Sequence, residues 1–242
     1  MLRSKGDAIV LEGPHLVDEA LRAGLDLETV LVEPTLAEQP AGRELIARLR
    51  RPPLAVAPEV LASLADADSP QGILAIARLW RGGVEALPLA AGGVYVYAEE
   101  LQDPGNLGAL ARSLEAAGGA GLALGPGSAH PSHRRALRAS AGSLLRLPVG
   151  IEVTAEALQA RLAPLHPTWV ALLPHEGEDL YRCDLAGAIV LLLGAEGPGL
   201  SPALLRRADR RLTIPLAGPV ESLNATVAAA LALFELRRRR EL

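Results

Sequence analysis

Aromatic side chains are almost missing from this chain: its 242 residues include two Trp, three Tyr and one Phe. A core therefore has to be built from Leu, Ala and Val, which a half-hydrophobic composition can supply. Cysteine occurs once, at Cys183, which excludes an intrachain disulfide and a cysteine-based zinc centre. Lysine is equally scarce: Lys5 stands alone and the other 23 basic residues are Arg. No apolar run approaches the length that spans a bilayer, and the pure run "AIVLLL" at 188–193 suits a buried strand. The opening "MLRSKGDAIV" has no apolar signal-peptide core, so the expectation is a soluble cytoplasmic protein without a membrane partner. Two nucleotide signatures are missing too. No GK[ST] ends a glycine loop, and "GGAGLALG" at 118–125 precedes a strand rather than following one, which argues against a phosphate-loop or dinucleotide enzyme.

A net charge of −4 excludes an indiscriminate nucleic-acid binder, but the distribution is uneven. From Ala116 to Ile151 there is no Asp or Glu, while His130, His133, Arg134, Arg135, Arg138 and Arg146 fall inside that stretch. This predicts a phosphate-facing surface, with the four arginines as RNA contacts. "RRADRR" at 206–211 and "RRRR" at 237–240 carry less weight, one being interrupted by Asp209 and the other lying at the end of the chain.

Residues 1–80 alternate helix and strand patterns. "HLVDEALRAG", "RELIARLR" and "PEVLASLA" read as helices, and "TVLV" and "GILAIA" as short buried strands. Residues 81–93, "RGGVEALPLAAGG", have no period and read as an interdomain linker. From residue 94 to 242 a second α/β series follows, with strands expected at 94–98, 121–124, 168–173, 188–193 and 211–214. Its helices are expected at 106–118, around 132–145, and at 155–163, 201–208 and 225–240. That alternation predicts a mostly parallel sheet covered on both faces.

Ligands collect at the carboxyl ends of such strands, and three loops there are too polar and too glycine-rich for plain connectors. "EELQDPGNLGALARSLEAAG" supplies Asn106, and Arg112 one turn beyond Gly108, where a bare helical turn leaves room for a phosphate. Asn106 is equally a candidate helix cap. "GAEGPGLS" after 188–193 supplies Glu196 among three glycines. "IPLAGPVESLN" supplies Ser222 and Asn224 just before a helix whose Val227, Ala230, Leu231 and Phe234 fall on one apolar face. Asn224 also suits an N-cap.

Taken in order, "DPGNLGALARSLEAAG", "LLLGAEGPGLS" and "IPLAGPVESLNATVAAA" resemble the three motifs of the SpoU/TrmH family of RNA ribose 2′-O-methyltransferases. "LRASAGSLLRLPV" between them is also similar, and "LEGPHLVDEALRAG" resembles the small substrate-binding domain of many members; Ala225-Thr226 stands where Val-Ser is common. The resemblance implies a deep trefoil knot in the C-terminal sheet, whose second and third loops form the S-adenosylmethionine pocket. Gly194, Ile214 and Leu223, with Glu196, Gly197 and Leu216, would hold that cofactor largely through backbone groups. Arg112 would be the central catalytic residue, organised by Asn106, Glu196, Ser222 and Asn224. Because a guanidinium keeps its proton, positioning the 2′-oxygen and stabilising its charge suit Arg112 better than a base role. The resemblance also implies a homodimer acting on RNA rather than DNA, with no metal required. The separate N-terminal domain favours 23S ribosomal RNA over transfer RNA as substrate. The alternative, a non-catalytic RNA-binding protein of the same fold, predicts loss of Arg112, Glu196 or Asn224, all of which are present.

Overall fold

Proline sets where the early helices begin. α1 (Pro14–Arg22), α2 (Pro34–Glu38), α3 (Pro40–Ala47) and α4 (Pro58–Leu64) each open on a Pro at the first helical turn, where its missing N–H breaks no hydrogen bond. The structure, a computed structural model, describes residues 8–67, 69–79, 82–195 and 197–240. Among these residues the chain forms two sheets. The first holds β1 (Ala8–Glu12), β2 (Leu27–Val32), β3 (Leu54–Ala55) and β4 (Ile73–Arg78) in the order β1-β4-β2-β3. β4 runs antiparallel to both neighbours, and β3 pairs parallel with β2.

The second sheet contains β5 (Val94–Ala98), β6 (Gly121–Leu124), β7 (Val149–Gly150), β8 (Thr168–Leu173), β9 (Glu178–Asp179), β10 (Ile189–Leu193) and β11 (Arg210–Thr213). Its order is β7-β6-β5-β10-β8-β11-β9, and every pairing is parallel. Helices cover both faces. Alternate strand residues Val94, Val96, Ile189 and Leu191 join α5 (Pro104–Ala116), α6 (Arg134–Ala139), α7 (Ser143–Arg146) and α10 (Ala225–Arg240). Tyr95, Tyr97, Val190 and Leu192 face α8 (Ala155–Leu162) and α9 (Pro202–Arg207).

The expected second series appears with small differences. The helix expected around 132–145 is two helices, because Ala141 and Gly142 both take left-handed backbone (φ 46° and 91°) and stop α6. β1, α2 and the two-residue strands β3, β7 and β9 had no usable period. Residues 82–93 are docked on the second sheet: Leu87 is fully buried, and the Tyr95 hydroxyl donates to Pro88 O while accepting from Ala90 N.

On α10 the apolar stripe noted in the sequence is the outward face: Val227, Leu231 and Phe234 are 50%, 40% and 48% exposed. The buried side carries Thr226, Ala229, Ala232, Leu233, Glu235 and Leu236. The arginine run at its end fastens the helix down. Arg237 donates to Ala116 O (2.6 Å), Arg239 to the carbonyls of Leu180 and Cys183, and Arg240 to those of Gly92 and Gly187.

Glu235 accepts from Arg238 and Arg239, and these hydrogen bonds hold its carboxyl down at about 2. A carboxyl depressed in the folded state stabilises it above the unfolded value near 4.5 and loses that contribution as pH falls toward 2. Acid titration of unfolding free energy should therefore show a shallower decline between pH 5 and 2 for Glu235→Gln than for the parent. Identical acid limbs would show that the trio contributes nothing.

Candidate cofactor pocket and active site

Parallel strands deliver all their following loops to one edge, and three of these loops meet there. The segments after β8, β10 and β11, with the start of α10, enclose a cavity of about 440 Å³. Leu172, Leu173 and Pro174 form one wall, Leu193, Gly194, Ala195, Gly197, Gly199 and Leu200 a second, and Ile214, Leu216, Ser222, Leu223, Asn224, Ala225 and Ala228 the remainder. The described residues predicted for the cofactor, Gly194, Gly197, Ile214, Leu216 and Leu223, all line it. Glu196 lies outside the described residues.

The glycine loop closes tightly on itself. Ala195 and Gly199 exchange both backbone hydrogen bonds (3.1 and 3.0 Å), and Gly197 and Gly199 sit at φ 91° and 73°. At Gly194 the backbone of Gly199 and Leu200 passes so near that any side chain would collide with it.

The lining is a set of aliphatic walls and backbone groups, with no Arg or Lys among the described residues. That suits a flat heteroaromatic ring edged by backbone hydrogen bonds and joined to a positively charged sulfur. It does not suit a nucleotide whose phosphates need cations. S-Adenosylmethionine fits this donor set and this volume.

Asn224 caps α10: its Oδ1 accepts from Thr226 N (2.9 Å) and Val227 N (3.2 Å). Its Nδ2 also donates to Asn106 Oδ1 (3.5 Å), while the Thr226 hydroxyl donates to Asn106 O (3.4 Å). Asn224 thus caps α10 and lines the cavity at once. Asn106 is not the cap of its own helix; Asp103 fills that role by accepting from Asn106 N (2.8 Å).

Arg112 lies on α5, exposed, with no hydrogen bond or ion pair to a described residue, and it does not line the cavity. Six residues beyond Asn106, it stands about 9 Å further along the helix axis. Ala109, one turn before it, and Ser113, next to it in sequence, border a groove completed by Thr226, Val227, Ala230, Leu231 and Phe234. Gly108 does not leave an open turn for a phosphate. It is buried where the backbone of α6 at Ala136 and Ser140 packs onto α5.

The basic stretch is also placed differently from expectation. Arg134 is 8% exposed and donates to Leu64 O (2.9 Å), and Arg138 pairs with Asp66 and Glu12. Arg146 pairs with Glu115 and Glu19. Those three face the first sheet's domain rather than open solvent. Arg135 stays largely exposed, with Asp103 3.1 Å away. Hydrogen bonding from Arg146 holds the Glu115 carboxyl below its ordinary range.

Sequence reasoning missed the wall from Leu172 to Pro174. Its strand was legible, but β8 reaches the pocket because it lies between β10 and β11, an order that no local pattern encodes.

Comparisons with known proteins place this geometry. A family model described as the SpoU rRNA Methylase family matches residues 93–234, and one described as the MRM3-like substrate binding domain matches residues 2–75. An uncharacterised tRNA/rRNA methyltransferase of Synechocystis is 32% identical, covering 98% of this chain and 86% of its own. The 23S rRNA (guanosine(2553)-2′-O)-methyltransferase RlmP of Bacillus subtilis is 29% identical over 97% and 90%. Among solved structures, the SpoU methyltransferase AviRb of Streptomyces viridochromogenes, in complex with AdoMet, superimposes with a TM-score of 0.88. It is 27% identical, and 97% of this chain and 91% of that one are covered.

Proposed function

This chain belongs to the SpoU rRNA methylase family, and we propose that it methylates a ribose 2′-hydroxyl of RNA, 23S ribosomal RNA before transfer RNA, using S-adenosylmethionine. One observation carries the reading: three strand-end loops close an aliphatic, cation-free pocket in a chain that superimposes along nearly its whole length on an AdoMet-bound member. When bound, the cofactor supplies a methyl group on a positively charged sulfur.

The chain's own residues would then divide the work. Gly194, Gly197, Ile214, Leu216 and Leu223 hold the cofactor through backbone and aliphatic contacts, and Glu196 belongs to the same loop. Ser222, Asn224 and Asn106 order the mouth of the pocket. Arg112 holds an RNA phosphate beside the reacting ribose and stabilises charge on its 2′-oxygen, and Arg135 adds a further phosphate contact. Residues 1–80 form the RNA substrate domain, 81–93 the connection and 94–242 the knotted transferase domain, in the cytoplasm.

The active form in this reading is a homodimer. The groove between α5 and α10 is apolar and open, and Arg112 stands at its edge, away from its own pocket. A second copy seated on this groove by twofold symmetry would bring each Arg112 toward the other's pocket. Leu231→Arg with Phe234→Arg should convert a dimer to a monomer in sedimentation and abolish transfer. Because the interface is twofold, four apolar side chains are lost, and at about 2 kcal/mol each this weakens association roughly a millionfold. A variant that remains dimeric would place the interface elsewhere.

The activity test supplies methyl-labelled S-adenosylmethionine with total RNA and, separately, tRNA lacking 2′-O-methylation. Label in the ribose of 23S rRNA is the expected result. Label in tRNA alone would move the substrate, and cofactor binding without any transfer would support a non-catalytic RNA binder.

A further inference from the structure

The stretch from Ala116 to Ile151 contains no acid, and Arg138 and Arg146 reach across a seam to acids of the facing domain. At one end Glu12, whose side chain is 5% exposed, accepts from Asp66 N (3.1 Å) and Ala67 N (3.0 Å). Arg138 Nη1 approaches this arrangement from the other domain, 3.0 Å from Asp66 Oδ2 and 3.6 Å from Glu12 Oε2. Beside it, buried Arg134 donates to Leu64 O. At the other end Arg146 grips Glu115 with two parallel bonds (2.7 and 2.8 Å) and turns its remaining nitrogen to Glu19 on α1. Gly142 makes room there, since a side chain would strike Glu19.

These contacts lead to the candidate active site. Glu115 lies on α5 one helical turn beyond Arg112, and α6, which carries Arg134 and Arg138, lies against the same helix at Gly108. Residues 82–93 are docked on the second sheet, but a single covalent connection would by itself still allow two domains to reorient. A small displacement of a bound substrate from its reacting geometry costs as much as about a hundredfold in rate.

We propose that Arg138 and Arg146 are positioning residues: they fix the small domain in one orientation to α5, so that RNA held by that domain meets Arg112 in register. The catalytic half of this inference rests on the function proposed above; the orientational half does not.

Two variants and two readouts test it. Nitroxides on Leu54→Cys and Tyr181→Cys, exposed positions on the two domains, report the interdomain distance in samples diluted with unlabelled protein. The parent should give a narrow distribution, Arg138→Gln with Arg146→Gln a broad one, and Arg138→Lys with Arg146→Lys a narrowed one. Single-turnover transfer should fall roughly ten- to a hundredfold in the Gln pair and partly recover in the Lys pair, with cofactor and RNA affinities within threefold. An unchanged distribution in the Gln pair overturns the proposal. So does weakened RNA binding with the bound-state rate intact, which would return these arginines to direct phosphate contact. If the parent itself transfers no methyl group, the function reading fails, and the distances still decide whether the seam fixes the domains.

Discussion

Arg112→Ala should lower the single-turnover rate of methyl transfer about 10²–10³-fold and leave the affinity for S-adenosylmethionine within twofold. The split follows from position. Arg112 does not line the cofactor pocket and has no partner among the described residues, so removing it disturbs neither the pocket nor an internal ion pair. What is lost is a forked cation available to RNA. Arg112→Lys keeps the charge but not the fork, and should recover only part of the rate. Below about pH 9, where a lysine ammonium also keeps its proton, the pH profile of the Lys variant should match the parent's; a limb displaced within that range would mean that Arg112 takes the hydroxyl proton after all. A parallel fall in cofactor affinity would overturn the positional reading altogether. Mixing Arg112→Ala with Asn224→Ala adds a test of the dimer. If each arginine serves the partner's pocket, mixed dimers retain one intact site and recover about a quarter of parental activity, whereas a site complete within one chain carries a mutation in every copy and recovers none, however freely subunits exchange.

The parallel sheet was legible because each of its longer strands is a short apolar run followed by a helical period: "VYVYA" and "AIVLLL" gave β5 and β10 to within a residue. The site loops were legible because glycine, proline and polar residues interrupt that alternation at the strand ends. What stayed hidden depends on partners distant in sequence. Val227, Leu231 and Phe234 have the spacing of a core face, yet the face of α10 that is buried is the one with Ala229, Ala232 and Leu233, small enough to sit on α5 and the sheet. Gly108 showed that something approaches α5, but only the fold shows that it is α6. The arginines of 134–146 looked free because the acids they meet lie about 30 to 130 residues away or in the other domain.

Gly194→Ala should abolish measurable cofactor binding and destabilise the fold by about 3 kcal/mol, the upper part of the range for overpacking. The strain has no easy outlet. A Cβ at Gly194 would meet main-chain atoms of Gly199 and Leu200, and these are held in place by the two Ala195–Gly199 hydrogen bonds. Relief therefore requires the glycine loop to open, and that loop is one wall of the pocket. Gly197→Ala is the matched control for backbone strain alone. Its φ of 91° disfavours a side chain, but nothing lies within 4 Å of the added carbon. Its cost should be about 1–2 kcal/mol, with a smaller loss of cofactor affinity. Thermal unfolding with and without S-adenosylmethionine separates the two effects. The parent should gain stability with ligand, Gly197→Ala should gain less, and Gly194→Ala should gain none. A Gly194→Ala protein that binds as well as the parent would show that the close crossing of residues 194 and 199–200 does not shape the cofactor site.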